Sequence, residues 1–139
     1  MLMFKFTHVR DGRQTGPYQS HYEYKSMPKK GQPSALYEVK GPLRICGHGF
    51  HAYSPAAVNT TSLYNEWAGW GKSYMRLWLV ECVGRGVGIG GAYSKRAYSK
   101  FRFLCRIEDE NHLNTILLTM KHMRPKRKAA AKKKKGGRK

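Results

Sequence analysis

Apolar and polar residues alternate from Leu2 to Val9, with Leu2, Phe4, Phe6 and His8 on one side of an extended chain and Lys5 and Thr7 on the other. A period of two predicts a half-buried strand, and Asp11-Gly12 supplies the turn that ends it. Tyr18 to Lys25 repeats the pattern: Tyr18, Ser20, Tyr22 and Tyr24 share one face, and Gln19, His21, Glu23 and Lys25 the other. This aromatic row suits first an amphipathic core face and second a platform for stacked bases. Met27 to Ser34 holds Pro28, Lys29, Lys30, Gly31 and Pro33, the composition of an exposed basic loop. Ala35 to Lys40 reads as a short strand, Gly41-Pro42 breaks it, and Leu43 to Cys46 leads into the centre of the chain.

That centre, Ile45-Cys46-Gly47-His48-Gly49-Phe50-His51-Ala52-Tyr53-Ser54-Pro55, gathers a cysteine, two histidines and two close glycines. In a regular strand His48 and His51 point to opposite sides, which opposes a two-histidine metal pair, and no paired metal-ligand spacing is present; no metal is expected. Cys46 and His48 share a parity, but no third group completes a nucleophilic arrangement. Ser54-Pro55 predicts a helix from Pro55 to about Trp67, because serine caps free amides and proline fits the first helical position. Asn59-Thr60-Thr61-Ser62 propagates a helix poorly, so Val58, Leu63, Tyr64 and Trp67 must hold it by packing. Gly69 and Gly71 close it.

Tyr74 to Val83, with the continuous apolar run Leu77-Trp78-Leu79-Val80, predicts a central strand covered on both faces. The glycine-rich run Gly84 to Gly91 lacks the following helix that a phosphate-cradling loop needs, and reads as a flexible loop. Phe101 to Ile107 is a further strand that buries Phe101, Phe103, Cys105 and Ile107 and turns Lys100, Arg102 and Arg106 to the opposite face. Glu108 to Asn111 opens a last helix with Leu113, Ile116, Leu117 and Met120 on one stripe, and Pro125 stops it. These elements predict an α+β domain over residues 1–124, built on a largely antiparallel mixed sheet of about six strands with two helices. A disordered basic tail over 125–139 follows.

Charge changes the picture most. The 139 residues carry a formal charge of +19. From Lys121 onward there are 11 Lys and Arg and no acid, and the first 120 residues hold 16 basic against 8 acidic residues. A polyanion, DNA or RNA, is the natural partner. The residues that would hold it are Lys29, Lys30, Lys95, Arg96, Lys100, Arg102 and Arg106, together with the tail residues Lys126, Arg127, Lys128, Lys132, Lys133, Lys134, Lys135, Arg138 and Lys139. Such a tail touches phosphates with little sequence preference, releasing counterions. Three widely spaced cysteines, Cys46, Cys82 and Cys105, suggest reduced thiols. With no apolar stretch near the ~20 residues that span a bilayer, no membrane association and a cytoplasmic location are expected.

The centre of the chain resembles a small domain family of phages and bacteria recognised by a Cys-Gly-x-Gly-Phe-His-Ala core, here Cys46 to Ala52. Its members continue with a helix, a Val-Glu-rich strand and a basic strand, matched by Trp78-Leu79-Val80-Glu81-Cys82-Val83 and Phe101-Arg102-Phe103-Leu104. The resemblance covers about Arg44 to Ile107. It implies a phage-type accessory protein working in the host cytoplasm and brings no established activity; the charge makes nucleic-acid binding the first expectation for it, and an adaptor that docks a host protein is a further one. More distantly, Gly47 to Ala52, the Ser54-Pro55 helix and Leu79-Val80-Glu81-Cys82-Val83-Gly84 are similar to ADP-ribosyltransferases. That resemblance implies NAD as cofactor, with His8 at the adenosine ribose and His51 in place of the tyrosine that stacks on nicotinamide. Val9 stands where that family has glycine. No acid lies between Gly84 and Lys100, where its catalytic glutamate belongs, so Glu108 is the late carboxylate.

Overall fold

A computed structural model of the chain describes residues 1–17, 22–44, 48–88 and 95–123. Two compact units divide the chain, Met1–Glu108 and Asp109–Lys139. The first is an antiparallel sheet of eight strands: β1 (Leu2–Arg10), β2 (Arg13–Thr15), β3 (Tyr37–Glu38), β4 (Phe50–Tyr53), β5 (Met75–Val83), β6 (Val87–Gly88), β7 (Lys95–Tyr98) and β8 (Lys100–Ile107). Their spatial order is β3-β8-β5-β1-β4-β7-β6, with β2 paired to β1, and the pairings among them are antiparallel.

The count exceeds the six expected because short strands leave weak periodic signals. β2 is the return arm of a tight hairpin whose turn places Asp11 and Gly12 at φ 51° and 75°. β6 and β7 pair with each other, and β7 also pairs with β4. Of the aromatic run expected as a strand, residues 18–21 lie outside the described residues, and Glu23 makes only an isolated bridge to Thr15. Tyr24 is buried, and both Tyr22 and Tyr24 pack their rings on Phe50, so this part of the row serves the core.

The long ladders β1–β5 and β5–β8 form the middle of the sheet. Cross-strand partners share a face, so Met3, Trp78, Val80, Phe101 and Phe103 form one layer. Phe4, Phe6, Leu77, Leu79 and Ile107 form the other. The half-buried reading of β1 is therefore corrected: Lys5 and Thr7 are buried along with Phe4 and Phe6. β5 is covered on both faces as its composition predicts, and a strand paired along its length shares both layers.

The single helix expected over Pro55–Trp67 is broken into pieces. A turn at Ser54–Ala57 leads to a 3-10 turn at Val58–Thr60, then α1 (Ser62–Glu66), then a π-helical turn at Trp67–Gly71. Side-chain competition for the backbone explains the break. The Thr60 and Thr61 hydroxyls donate to the carbonyls of Ala57 and Val58, and Thr61 Oγ1 then accepts from the Tyr64 amide at 2.9 Å, capping α1.

In the second unit, α2 (Glu110–Met123) matches the apolar stripe, with Leu113 buried. Asp109 starts it: its Oδ1 accepts from the His112 amide at 2.8 Å. Lys121 and His122 in the last turn suit the helix dipole. The tail and its cationic residues from Lys126 to Lys139 lie outside the described residues.

Candidate functional site

The sheet forks at β1. One edge of β1 pairs with β5 from Leu2 to His8. The other edge meets β4 through the single pair Phe4–Tyr53 and β2 only from His8 onward. The backbone carbonyl of His51 therefore lies beyond the β1–β4 ladder, and Lys5 Nζ donates to it at 2.7 Å. The ammonium also sits 5.4 Å from the Tyr24 ring centre and 5.2 Å from that of Phe101, whose π faces attract a cation. Lys5 is only 5% exposed. Burial lowers its pKa to about 8, the neighbouring Cys82 opposes that shift and Lys95 adds to it. Burial likewise pushes the Cys82 thiol up to about 12.

Beside Lys5 on the same face, Trp78 Nε1 donates to Thr7 Oγ1 at 2.9 Å, and Thr7 Oγ1 donates to Gln14 Oε1 at 3.0 Å. Sequence alternation placed Lys5 and Thr7 toward solvent and so missed this polar interior. The signal that reveals it is indirect: the unbroken apolar run of β5 requires its neighbour to be buried on two sides as well.

His8 and His51 lie on one face of the sheet, since His8 shares parity with Phe4, Phe4 pairs with Tyr53, and His51 shares parity with Tyr53. Their surroundings differ. His8 meets Arg10 at 3.4 Å and the Tyr74 ring at 5.9 Å. Its pKa is lowered by burial and Arg10, with Glu66 opposing. Burial, Lys5 and Lys95 hold His51 down to about 4, so it is neutral at physiological pH. The carboxylate nearest in influence to His8 is thus Glu66, whose Oε1 accepts from the Tyr74 hydroxyl at 3.2 Å. Glu108 is an exposed residue just past the end of β8. His48 stands outside β4, bound through Nε2 to the Lys40 carbonyl at 2.6 Å. Gly49 separates it from the strand at φ 119°, where an added Cβ would come within 3.2 Å of Ala97. Cys46 lies outside the described residues. Among those described, no group of three or more His, Cys, Asp or Glu side chains is placed to hold a metal ion.

The cationic residues divide into four groups. Lys29 and Lys30 are exposed at the tip of a two-residue turn in which Lys29 and Gln32 exchange backbone hydrogen bonds and Lys30 takes φ 49°. Lys100 and Arg102 share a face, but acids from neighbouring strands meet them: Glu38 of β3 at 3.5 Å and Glu81 of β5 at 3.1 Å. Arg106 leaves that face. The register pairs Leu79 with Cys105 and Val80 with Phe103, so Leu104 is an extra residue and the alternation of β8 reverses across it. The single strip expected from Lys100, Arg102 and Arg106 is split, with Arg106 on the side of Trp78 and Phe103. Lys95 lies in β7 opposite Tyr53, and Arg96 Nη1 donates to the Gly86 carbonyl at 3.5 Å.

The fold and these groups define an antiparallel α+β protein with a buried lysine at a fork in its sheet and exposed cations at Lys29, Lys30 and Arg106. No family model, curated protein or solved structure matches the chain. No helix of the described residues is long and apolar enough to cross a membrane.

Proposed function

We propose that the protein binds nucleic acid with little sequence preference, using the segment after α2 together with exposed cations of the sheet unit. The observation that carries this reading is charge left unmatched. The first 120 residues hold twice as many basic as acidic residues, and the 11 cations from Lys121 onward meet no acid in sequence. Two of the 8 acids are engaged within the sheet, by Lys100 and Arg102. The turn at Lys29–Gln32 presents two lysines to solvent. Uncompensated charge of this size destabilises a chain by self-repulsion, and a phosphate polymer relieves it while releasing its own counterions.

The test is a salt series of binding to a single-stranded and a double-stranded oligonucleotide, with the full chain and with residues 126–139 removed. That deletion takes away nine Lys and Arg. On duplex, every phosphate no longer neutralised flattens the slope of log affinity against log salt by about 0.9, so the truncated chain binds more weakly and with a shallower slope. Failure of the full chain to retain either oligonucleotide in dilute buffer, or an unchanged slope after truncation, would overturn the proposal.

A further inference from the structure

Trp70 is 86% exposed, more than any other large hydrophobic residue described. Its position is built. In an α-helix, residues three apart share a face, but the wider π turn over Trp67–Gly71 breaks that alignment. Trp67 is buried beneath the turn and Trp70 faces out. Gly71 ends the turn in a tight fit, since a Cβ there would lie 2.8 Å from the Glu66 carbonyl oxygen of α1 and 3.1 Å from Met75 Cβ at the start of β5. The chain then delivers Lys72, the exposed Tyr74 and Arg76 in alternate positions.

Two arginines meet this loop. Arg106 Nη2 donates to the Lys72 carbonyl at 3.2 Å, which fixes its guanidinium two residues from Trp70. Arg76 precedes Trp78 by two residues, and Trp78 pairs with Arg106, so both arginines lie on one face of adjacent strands. Burial, and after it the charge of Arg106, lowers the pKa of Arg76, whose Nε is shut from solvent with no hydrogen-bond partner among the described residues. Like charges so placed are unfavourable by themselves and favourable around a shared anion.

We propose that this end of the sheet is a single-strand site, in which Trp70 stacks on a base and Arg76 and Arg106 hold the adjoining phosphate. The inference rests on the nucleic-acid reading and deepens it. A single strand is the occupant because an exposed indole needs an unstacked base, which a duplex does not offer, and the paired guanidiniums complement its backbone.

The test titrates the full chain and its variants with an oligothymidylate and with a duplex of the same length across a salt series. Trp70→Ala is expected to weaken single-strand binding about ten-fold, within the range of ~1–3 kcal/mol per stacked base, and to leave duplex affinity and both salt slopes unchanged. Trp70→Phe restores most of the loss. The double variant Arg76→Gln, Arg106→Gln lowers the single-strand slope by about 1.4, two neutralised charges at roughly 0.7 each. Unchanged single-strand affinity in Trp70→Ala, or equal losses on single strand and duplex, would overturn the site while leaving general nucleic-acid binding standing. A full chain that retains no oligonucleotide removes the broader reading and this one together.

Discussion

Lys5, Trp78 and Arg106 stand in one straight cross-strand row, with the tryptophan between two cations. Lys5 is buried and Arg106 is exposed, although both project from the same face of the sheet. What separates them is the covering layer. Over β1 lie Tyr24 and Phe101, packed edge to face at 5.7 Å, and the forked sheet offers the His51 carbonyl to the ammonium. Arg106 donates to a loop carbonyl, that of Lys72, and its charge bears on another arginine, Arg76. A cation's place on a strand therefore does not determine its chemistry. The same face makes an interior network at one position and a solvent-exposed cation two strands away.

Removing the divider should have the largest effect. Trp78→Ala deletes a buried indole that packs on Phe103 at 5.1 Å and leaves Thr7 Oγ1 without its donor. A loss of about 3–5 kcal/mol is expected for a large aromatic cut to alanine in a core, read from urea unfolding. A loss within about 0.5 kcal/mol, the level of an ordinary surface substitution, would show that Trp78 does not separate the two environments.

The buried cation comes next. Below pH 8 the folded protein carries the full cost of a buried charge at Lys5. Between about 8 and the ordinary 10.5 the unfolded chain holds a proton that the folded chain has released. Stability therefore rises with pH across that window, by up to about 3 kcal/mol from this group. Cys82 and Tyr24, whose pKa values burial raises, act in the opposite direction once their unfolded forms ionise. Comparing wild type with Lys5→Met removes what the two proteins share. The wild type should gain on the variant as pH goes from 7 to 10, and parallel profiles would break the contrast between the two cations.

Much of the middle of this molecule was legible in its residues. β1, β5, β8 and α2 are long enough for a period of two or 3.6 to declare itself, and Tyr74–Val83 shows its two-sided burial directly. The edges were not. β6 is a short strand inside the glycine-rich run and β7 a short one after it, and the threonines that divide the Pro55–Trp67 segment act through side-chain bonds that periodicity does not register. The candidate sites were less legible still. Lys100 and Arg102 lack acids nearby in sequence because Glu38 and Glu81 arrive from other strands. Arg106 changes face at a one-residue bulge. Lys5 looks solvated because its covering aromatics come from segments 19 or more positions away. Trp70 carries a signal in its Gly-flanked position, but only the π turn shows that it faces outward.

Arg106 itself should give the smallest change in stability, and that smallness sharpens the comparison. Arg106→Ala forfeits one exposed hydrogen bond to the Lys72 carbonyl and relieves repulsion from Arg76, two opposed effects of a few tenths of a kcal/mol. A net change within about 0.5 kcal/mol is expected in urea unfolding at moderate salt. Because the repulsion is screened by ions and the hydrogen bond is hardly so, added salt should favour the wild type over Arg106→Ala. A loss approaching that of Trp78→Ala, or a difference that does not respond to salt, would mean that Arg106 is held as part of the interior. The arginine pair would then owe its position to packing, as Lys5 does, and its outward charge would be incidental.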